Sequence, residues 1–380
     1  MKNIQLFEPS YHVRECLEEI RECLEKGWTG LGFKTVLFEE AWKKYTGLPC
    51  AHFLNSNTVG LHLALKVYKE SLGWKNGDEV ITTPLTFVST NHAILYEKLK
   101  PVFADVDETL CLDPVSIRKR ITRRTRAVMY VGMGGNAGKL GEVMKICREK
   151  KLKLILDAAH MAGTRYRGRI AGHGADCTVF SFHAVKNLPT ADGGMICFAD
   201  RALDTKVRMY SWLGINKDTF ARMGAPGQKN YKWHYDIEYV GLKAHGNSVV
   251  ASIGLVQLKY LERDNAKRRK IASWYDRCLA QDPHIRRVKY FGDCVPSRHL
   301  YQIRVPADVR DELIVYLNSK NIFPGVHYRV NTEYKMYRYA LGTCPQAETA
   351  SAELVSLPLH VGLTQNDVRR VSESVRAFFG

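Results

Sequence analysis

Apolar residues recur along the chain with two different periods. Over residues 11–26, Val13, Leu17, Ile20 and Leu24 stand at helical spacing and Gly27 follows as a natural end signal. The spacing repeats over 59–72 with Leu61, Leu65, Tyr68 and Leu72. Short apolar runs then alternate with helical stretches. The runs EVITTP (79–84), PVFADV (101–106), AVMYVGM (127–133), LKLILDAA (152–159), CTVFSF (177–182) and GGMICFA (193–199) read as strands, and 141–151 as a helix. Strands that are apolar nearly throughout are buried on both faces, which predicts a mainly parallel sheet between two layers of helices. Beyond residue 247 the texture changes to a long helix (247–263), a strand at LYQIRV (300–305), a helix over 307–320 and a last helix from Thr364, where Asp367 completes a capping box. The expected architecture is a large α/β domain, residues 1–246, and a smaller α+β domain, residues 247–380.

Composition narrows the picture. At 380 residues, 45% hydrophobic and 25% charged, the chain has the balance of a globular protein with room for two packed units. The N-terminal stretch MKNIQLFEPS lacks the apolar core of a leader peptide, and no apolar run approaches the ~18 residues of a membrane helix. Ten scattered cysteines, without C-x-x-C or zinc-type spacing, predict a reduced, cytoplasmic protein without a metal site. The formal net charge of +17 fits either a nucleic-acid binder or an enzyme that attracts an anionic substrate. The densest basic stretches, KRITRRTR (119–126) and KRRK (267–270), read as helix flanks without interleaved aromatics, which suits a solvated face.

Candidate chemistry gathers at strand ends. In VFSFHAVKNLPTADGG (179–194) a strand ends at Ser181-Phe182-His183, and Lys186 follows in a tight loop. Ligands in open α/β sheets bind beyond the carboxyl ends of strands, and a desolvated lysine there suits Schiff-base formation; a solvated lysine is the plain alternative. Asp157 ends the apolar run LKLILD, where an acid is costly unless partnered. The pyridinium nitrogen of pyridoxal 5′-phosphate is such a partner, although a helix cap or an arginine would serve too. Asn55-Ser56-Asn57-Thr58 precedes a helix whose N-terminus favours a phosphate, or is simply capped by these residues. Phe87 in TPLTFVST follows a strand end, where it either stacks on a ring or joins the core.

In this order the pieces resemble the DegT/DnrJ/EryC1/StrS aminotransferases, sugar-modifying members of the fold-type I pyridoxal-phosphate enzymes. The resemblance runs through GWTGLGFKTVLFEEAWKKYTG (27–47), LNSNTVGLHLAL (54–65), the segments 83–107 and 154–194, GLKAHGNSVVASIGLVQLKYLE (241–262), GVHY (325–328) and LVSLPLH (354–360). It implies that Lys186 carries the cofactor as a Schiff base and then moves the proton. It further implies that Asp157 binds the pyridinium nitrogen, that His160 contacts the 3′-oxygen, and that Phe87 stacks on the ring. Asn57, Thr58 and Ser181 would hold the phosphate, with His183 beside them. Lys243 would reach the phosphate of a partner subunit in a homodimer, and His327, Tyr328 and Arg329 would meet the substrate. The implied reaction moves an amino group from an amino acid, usually L-glutamate, to a keto-sugar, generally nucleotide-linked and often a deoxysugar, with pyridoxamine 5′-phosphate as the intermediate cofactor form. Lys34 and Arg222 join His327 and Arg329 as candidate phosphate partners at the mouth of the site.

Three departures from the family pattern stand out. Lys243 fills a slot that is often Asn, Ala191 replaces a usual Gly, and GMGGN (132–136) replaces His-x-Tyr-Gly, a change that bears on substrate recognition. Rival readings are a sugar dehydratase, a non-catalytic regulatory homologue and a nucleic-acid binder. Dehydratases of that neighbouring branch carry His where Lys186 stands, and a regulator needs neither Asp157 nor Lys186. Nucleic acid and membrane are therefore not expected partners.

Overall fold

The computed structural model describes residues 2–216 and 235–380. Its centre is a seven-stranded sheet in the order β1-β9-β8-β5-β4-β2-β3. The strands are β1 (His52–Leu54), β2 (Glu79–Thr82), β3 (Lys100–Phe103), β4 (Thr125–Val131), β5 (Lys153–Ala158), β8 (Cys177–Ser181) and β9 (Gly194–Phe198); a small hairpin, β6 (Arg165–Tyr166) and β7 (Arg169–Ile170), lies between β5 and β8. The pairs from β3 through β8 are parallel, and β9 is antiparallel to both β8 and β1. Each expected strand is present. The apolar runs mark them because both faces of the sheet are covered, with Val128, Tyr130 and Leu156 in one core cluster and Met129, Ile155 and Val179 in another.

The layers come from α1 (Val13–Glu25), α2 (Phe33–Thr46), α3 (Asn57–Leu72), α4 (Val88–Tyr96), α5 (Pro114–Arg120), α6 (Leu140–Lys150) and α7 (Arg201–Ser211). Leu61, Leu65 and Tyr68 of α3 are buried as their spacing predicts. The apolar stripe of α1 behaves otherwise: Val13, Leu17 and Leu24 are exposed, and Cys16 and Cys23 face the core instead. Gly27 does end α1, with φ +66° directly after the cap.

The expected helix at 247–263 is nearly twice that length. α8 (Ser248–Cys278) runs for 31 residues, so KRRK lies inside a helix and not at its flank. Its first half packs on the large core through Ala251 and Leu261, and its second half joins a separate cluster through Ile271 and Tyr275. The C-terminal part adds β10 (Arg286–Arg287), β11 (Cys294–Val295), β12 (Tyr301–Arg304), α9 (Arg310–Ser319), α10 (Pro345–Glu353), β13 (Leu354–Leu357) and α11 (Gln365–Phe379). Thr364 and Asp367 form the expected capping box of α11. We keep the division at 246/247 as a proposal, with α8 as the joint.

Two connections across that joint shape the site. Ile4 pairs with the 321–323 segment through Ile4 N–H to Asn321 O and Phe323 N–H to Ile4 O, both 2.9 Å, which carries Phe7 inward. Asn331 donates to Thr86 O at 2.9 Å and accepts from Asn91 at 2.7 Å, which ties the 327–331 segment to the loop before α4.

Among the described residues no helix is long and apolar enough to cross a membrane, and no cluster of His, Cys, Asp or Glu is arranged for a metal. All ten cysteines are free thiols.

Candidate active site

The strand register places the chemistry. Asp157 sits between Val131 of β4 and Val179 of β8, and Ser181 stands opposite Gly194 of β9, all at the carboxyl edge of the sheet. A cavity of about 320 Å³ opens there. Asn57, Thr58, Phe87, Asp157, His160, Ser181, His183, Lys186, His327 and Tyr328 all line it. Ten of the twelve residues singled out from the sequence as site residues thus meet in one place, although Asn57 and Tyr328 are 271 positions apart by number.

Asp157 is 3% exposed. Thr90 Oγ1 donates to it at 2.8 Å, the Ala159 N–H at 3.1 Å and Asn57 Nδ2 at 3.5 Å. These donors are all neutral. Burial therefore prevails and raises the carboxyl above its ordinary range, against the lowering by Thr90, Ala159 and the Lys186 charge. Lys186 is part-buried, and burial depresses its amine to about 8 while Asp157 opposes the shift. The amine thus keeps a neutral fraction near physiological pH far larger than an ordinary lysine would, as a nucleophile or proton carrier requires.

Three histidines surround this pair, and burial holds each below its usual value, His327 at about 4. The Gly134 N–H donates to His160 Nδ1 at 3.2 Å, which puts the ring proton on Nε2, facing the Tyr328 hydroxyl at 3.1 Å. Gly134 belongs to the departing GMGGN stretch. Gly132–Asn136 is absent from the cavity lining, so this stretch acts on the site by orienting His160.

The anion end of the cavity is the start of α3. Ser56 caps the helix by accepting from the Val59 N–H at 3.2 Å, which leaves the first N–H groups of the helix for a phosphate. The Asn57 side chain is committed elsewhere: it donates to Val179 O at 3.0 Å and to Asp157. What Asn57 offers an anion is its backbone. Gly194 lets β9 approach this helix end, because a Cβ there would lie 2.5 Å from the Ser56 carbonyl carbon. Phe87 is 57% exposed beside the cavity, 5.9 Å from the Tyr328 ring.

Arg329 is not brought in, and Lys243, expected at a partner's phosphate, does not line its own subunit's cavity. Arg329 is exposed and ion-paired with Glu333. Lys243 is exposed and lies over the Trp212 ring at 6.0 Å. Lys34 is buried but held by Glu19 and Glu22, not aimed at the cavity. Arg222 lies outside the described residues. Sequence reasoning missed Phe7, Thr90, Asp192 and His299, which also line the cavity. Thr90 stands one helical turn after Phe87, a weak signal; His299 gave none. Ala191, next to Asp192, has φ +77°, so the left-handed turn usually filled by Gly carries a side chain here.

The cavity fits pyridoxal phosphate: an unpaired buried acid, a low-pKa lysine, a helix N-terminus for a phosphate and an exposed aromatic face. The comparisons with known proteins agree. The spore coat polysaccharide biosynthesis protein SpsC of Bacillus subtilis (strain 168) is 35% identical over 373 residues, 96% of this chain and 94% of its own length. Among solved structures, the aminotransferase TlmJ from Streptoalloteichus hindustanus superposes with a TM-score of 0.91 at 31% identity, covering 100% of this chain and 99% of that one. Helicobacter pylori PseC, an aminotransferase involved in the biosynthesis of pseudoaminic acid, matches with the same TM-score and coverage at 28% identity. The family model of the DegT/DnrJ/EryC1/StrS aminotransferases spans residues 11–376, and the chain belongs to that family.

Proposed function

We propose that this aminotransferase moves an amino group from L-glutamate to a nucleotide-linked keto-deoxysugar, with pyridoxal 5′-phosphate held by Lys186 and Asp157. The observation that carries the reading is Asp157, a buried carboxylate given only neutral donors by its own chain, in the same cavity as a lysine depressed to about 8.

When bound, the cofactor supplies an electron sink for charge developing on the donor carbon. Asp157 would hold the protonated ring nitrogen by charge. Thr90 and the Ala159 N–H fix the orientation of that carboxylate. Lys186 at about 8 accepts and returns a proton near neutral pH, where a general acid–base group is most effective. The α3 N-terminus, Thr58 and Ser181 would hold the phosphate, His183 would border it, and Phe87 would cover the ring face. His160, oriented by Gly134, presents its Nε2–H toward Tyr328 and would contact the cofactor's 3′-oxygen. His327 and Tyr328 line the sugar side; Arg329, turned out to Glu333, has no part in this assignment.

Two further features support an assembly of two chains. Lys186 is the only lysine or arginine in the described lining, so the phosphate lacks a side-chain cation from its own subunit. Lys243 is exposed on a segment fixed by pairing with Trp212, beside exposed Leu242, and in a homodimer it would reach the partner's phosphate. The +17 charge suits a diphosphate-bearing substrate. Ten free thiols suit the cytoplasm.

The test is the absorbance spectrum of the purified protein with pyridoxal phosphate, before and after L-glutamate. The visible cofactor band should fade as the pyridoxamine band grows. Lys186→Ala should show neither change, lose turnover by at least ~10³-fold and no longer trap cofactor with borohydride. A band indifferent to glutamate would exclude that donor, and retained turnover in Lys186→Ala would exclude the lysine's role.

A further inference from the structure

His299 lies 113 positions from Lys186 in sequence, yet its Nε2 stands 3.5 Å from the Lys186 amine. The ring is 3% exposed. It stacks on Phe7 at 5.3 Å with an interplanar angle of 7°, and the His160 ring lies tilted against it at 4.4 Å. Its backbone N–H is fixed to Gly134 O at 3.1 Å. Packing thus leaves the imidazole little freedom to turn.

A chain of amides behind the ring sets its tautomer. His299 Nδ1 faces Asn187 Oδ1 at 3.1 Å. Asn187 Nδ2 is used twice as a donor, to Asn265 Oδ1 at 2.7 Å and to Ser297 O at 2.9 Å, so its Oδ1 is an acceptor. Asn265 Nδ2 in turn donates to Ala162 O at 2.9 Å, which fixes Asn265 Oδ1 as the acceptor. The His299 proton therefore sits on Nδ1, and the Nε2 lone pair points to Lys186. Neither asparagine ionises, so the chain fixes a hydrogen-bond direction and carries no proton away.

The surroundings keep the ring neutral. Burial lowers its pKa, and Lys186, His160 on the turn after β5, His327 on the 325–328 segment and Arg268 on α8 add to the effect. The carboxylate nearby, Asp157, acts on Lys186. A neutral, lone-pair-forward imidazole beside a lysine is an acceptor for either protonation state of the amine.

We propose that His299, oriented by Asn187 and Asn265, is a positioning residue that accepts a hydrogen bond from the free Lys186 amine and holds it in the cavity whenever it is not covalently engaged. The catalytic part of this inference rests on Lys186 being the proton carrier; the contact itself does not. An acceptor favours the ammonium form, so its removal lowers the Lys186 pKa.

The first measurement needs no cofactor. Competitive acetylation of the apoprotein across pH, followed by mass spectrometry of the Lys186 peptide, gives the titration of this amine. It should centre near 8 in the native chain, about one unit lower in His299→Phe, and close to the native value in His299→Gln, whose carbonyl restores an acceptor. Asn187→Ala, which frees the tautomer without touching the ring, should shift it the same way by a smaller amount. In the loaded enzyme His299→Phe should lower kcat by about 20-fold with KM for the donor within about twofold, and His299→Gln should recover most of the loss. An unshifted Lys186 titration in folded His299→Phe or Asn187→Ala, or a shift that His299→Gln does not reverse, overturns the proposal. Failure of the transamination reading leaves the apoprotein shift in place, so the two failures are distinguishable.

Discussion

Glu39 and Asp157 are both buried carboxylates, 6% and 3% exposed, and the protein surrounds them differently. Glu39, on α2, accepts from Arg208 Nη1 at 2.8 Å, faces His52 Nδ1 at 2.9 Å and takes the Phe53 N–H at 2.8 Å. Burial alone would raise its pKa, but Arg208, His52 and Phe53 outweigh it and hold it at about 2. Asp157 has hydrogen bonds of similar length but no arginine, and burial wins. A carboxylate that only holds the fold is completed by its own chain. One left short of a cation has a place for a ligand's charge. The contrast separates structural from functional acids, where burial alone does not.

Paired substitutions test this most directly. Asp157→Asn should cut kcat by ~10²-fold or more, because it removes charge from a preorganised site, while the apoprotein melts at or above the native temperature. Glu39→Gln should do the reverse. It should lose on the order of 2 kcal/mol, a figure reduced because Arg208 is 40% exposed, and keep near-native kcat per folded molecule. A loss of rate in Glu39→Gln equal to that in Asp157→Asn would dissolve the distinction.

Acid titration sharpens the same comparison through opposite signs. The folded-state pKa of Glu39 lies below the ordinary ~4.3 of an unfolded glutamate. Its stabilisation is full above that value and fades as pH falls toward about 2. Denaturant midpoints of the native chain and Glu39→Gln should therefore converge from about pH 4.3 downward. Asp157 is raised, so the stability linked to its protonated form is full below the unfolded value of ~3.9 and is lost as pH rises through the folded one. The native apoprotein should fall behind Asp157→Asn as pH increases. Matching pH trends for both variants would contradict the assignment.

The smallest effect expected is at Ala191, beside the cavity rather than in the carboxylate pair. Relief of its left-handed conformation, φ +77°, should make Ala191→Gly more stable by up to about 1 kcal/mol. A small rise in melting temperature checks this; a drop would mean that the Ala191 methyl contributes more packing than the turn costs.

The sheet was legible because parallel strands covered on both faces need apolar residues at every position, as at 127–131 and 153–158. Asp157 was legible because it breaks such a run at its end, and Lys186 because it follows one in a tight loop. The apolar face of α1 was not: periodicity reports a stripe but not what covers it, and Cys16 and Cys23 rather than Val13 and Leu17 turned inward. The length of α8 was hidden because its second half serves another core, with polar residues where the first would place apolar ones. Thr90 and His299 matter through tertiary placement alone. A threonine on a helix and a histidine before a strand look the same in sequence whether or not an aspartate or a lysine stands opposite.

The wall of the cavity is drawn from Phe7 to Tyr328, and the segment bearing Phe7 is held by Asn321, Phe323 and Leu359. On a ribosome, the first of these residues emerges long before the last. The sheet, Asp157 and Lys186 are made while Phe7 still lacks its anchor and His299, His327 and Tyr328 have yet to be added. A nascent chain thus has the strands of the sheet before it has the residues that close the pocket and complete the core around it.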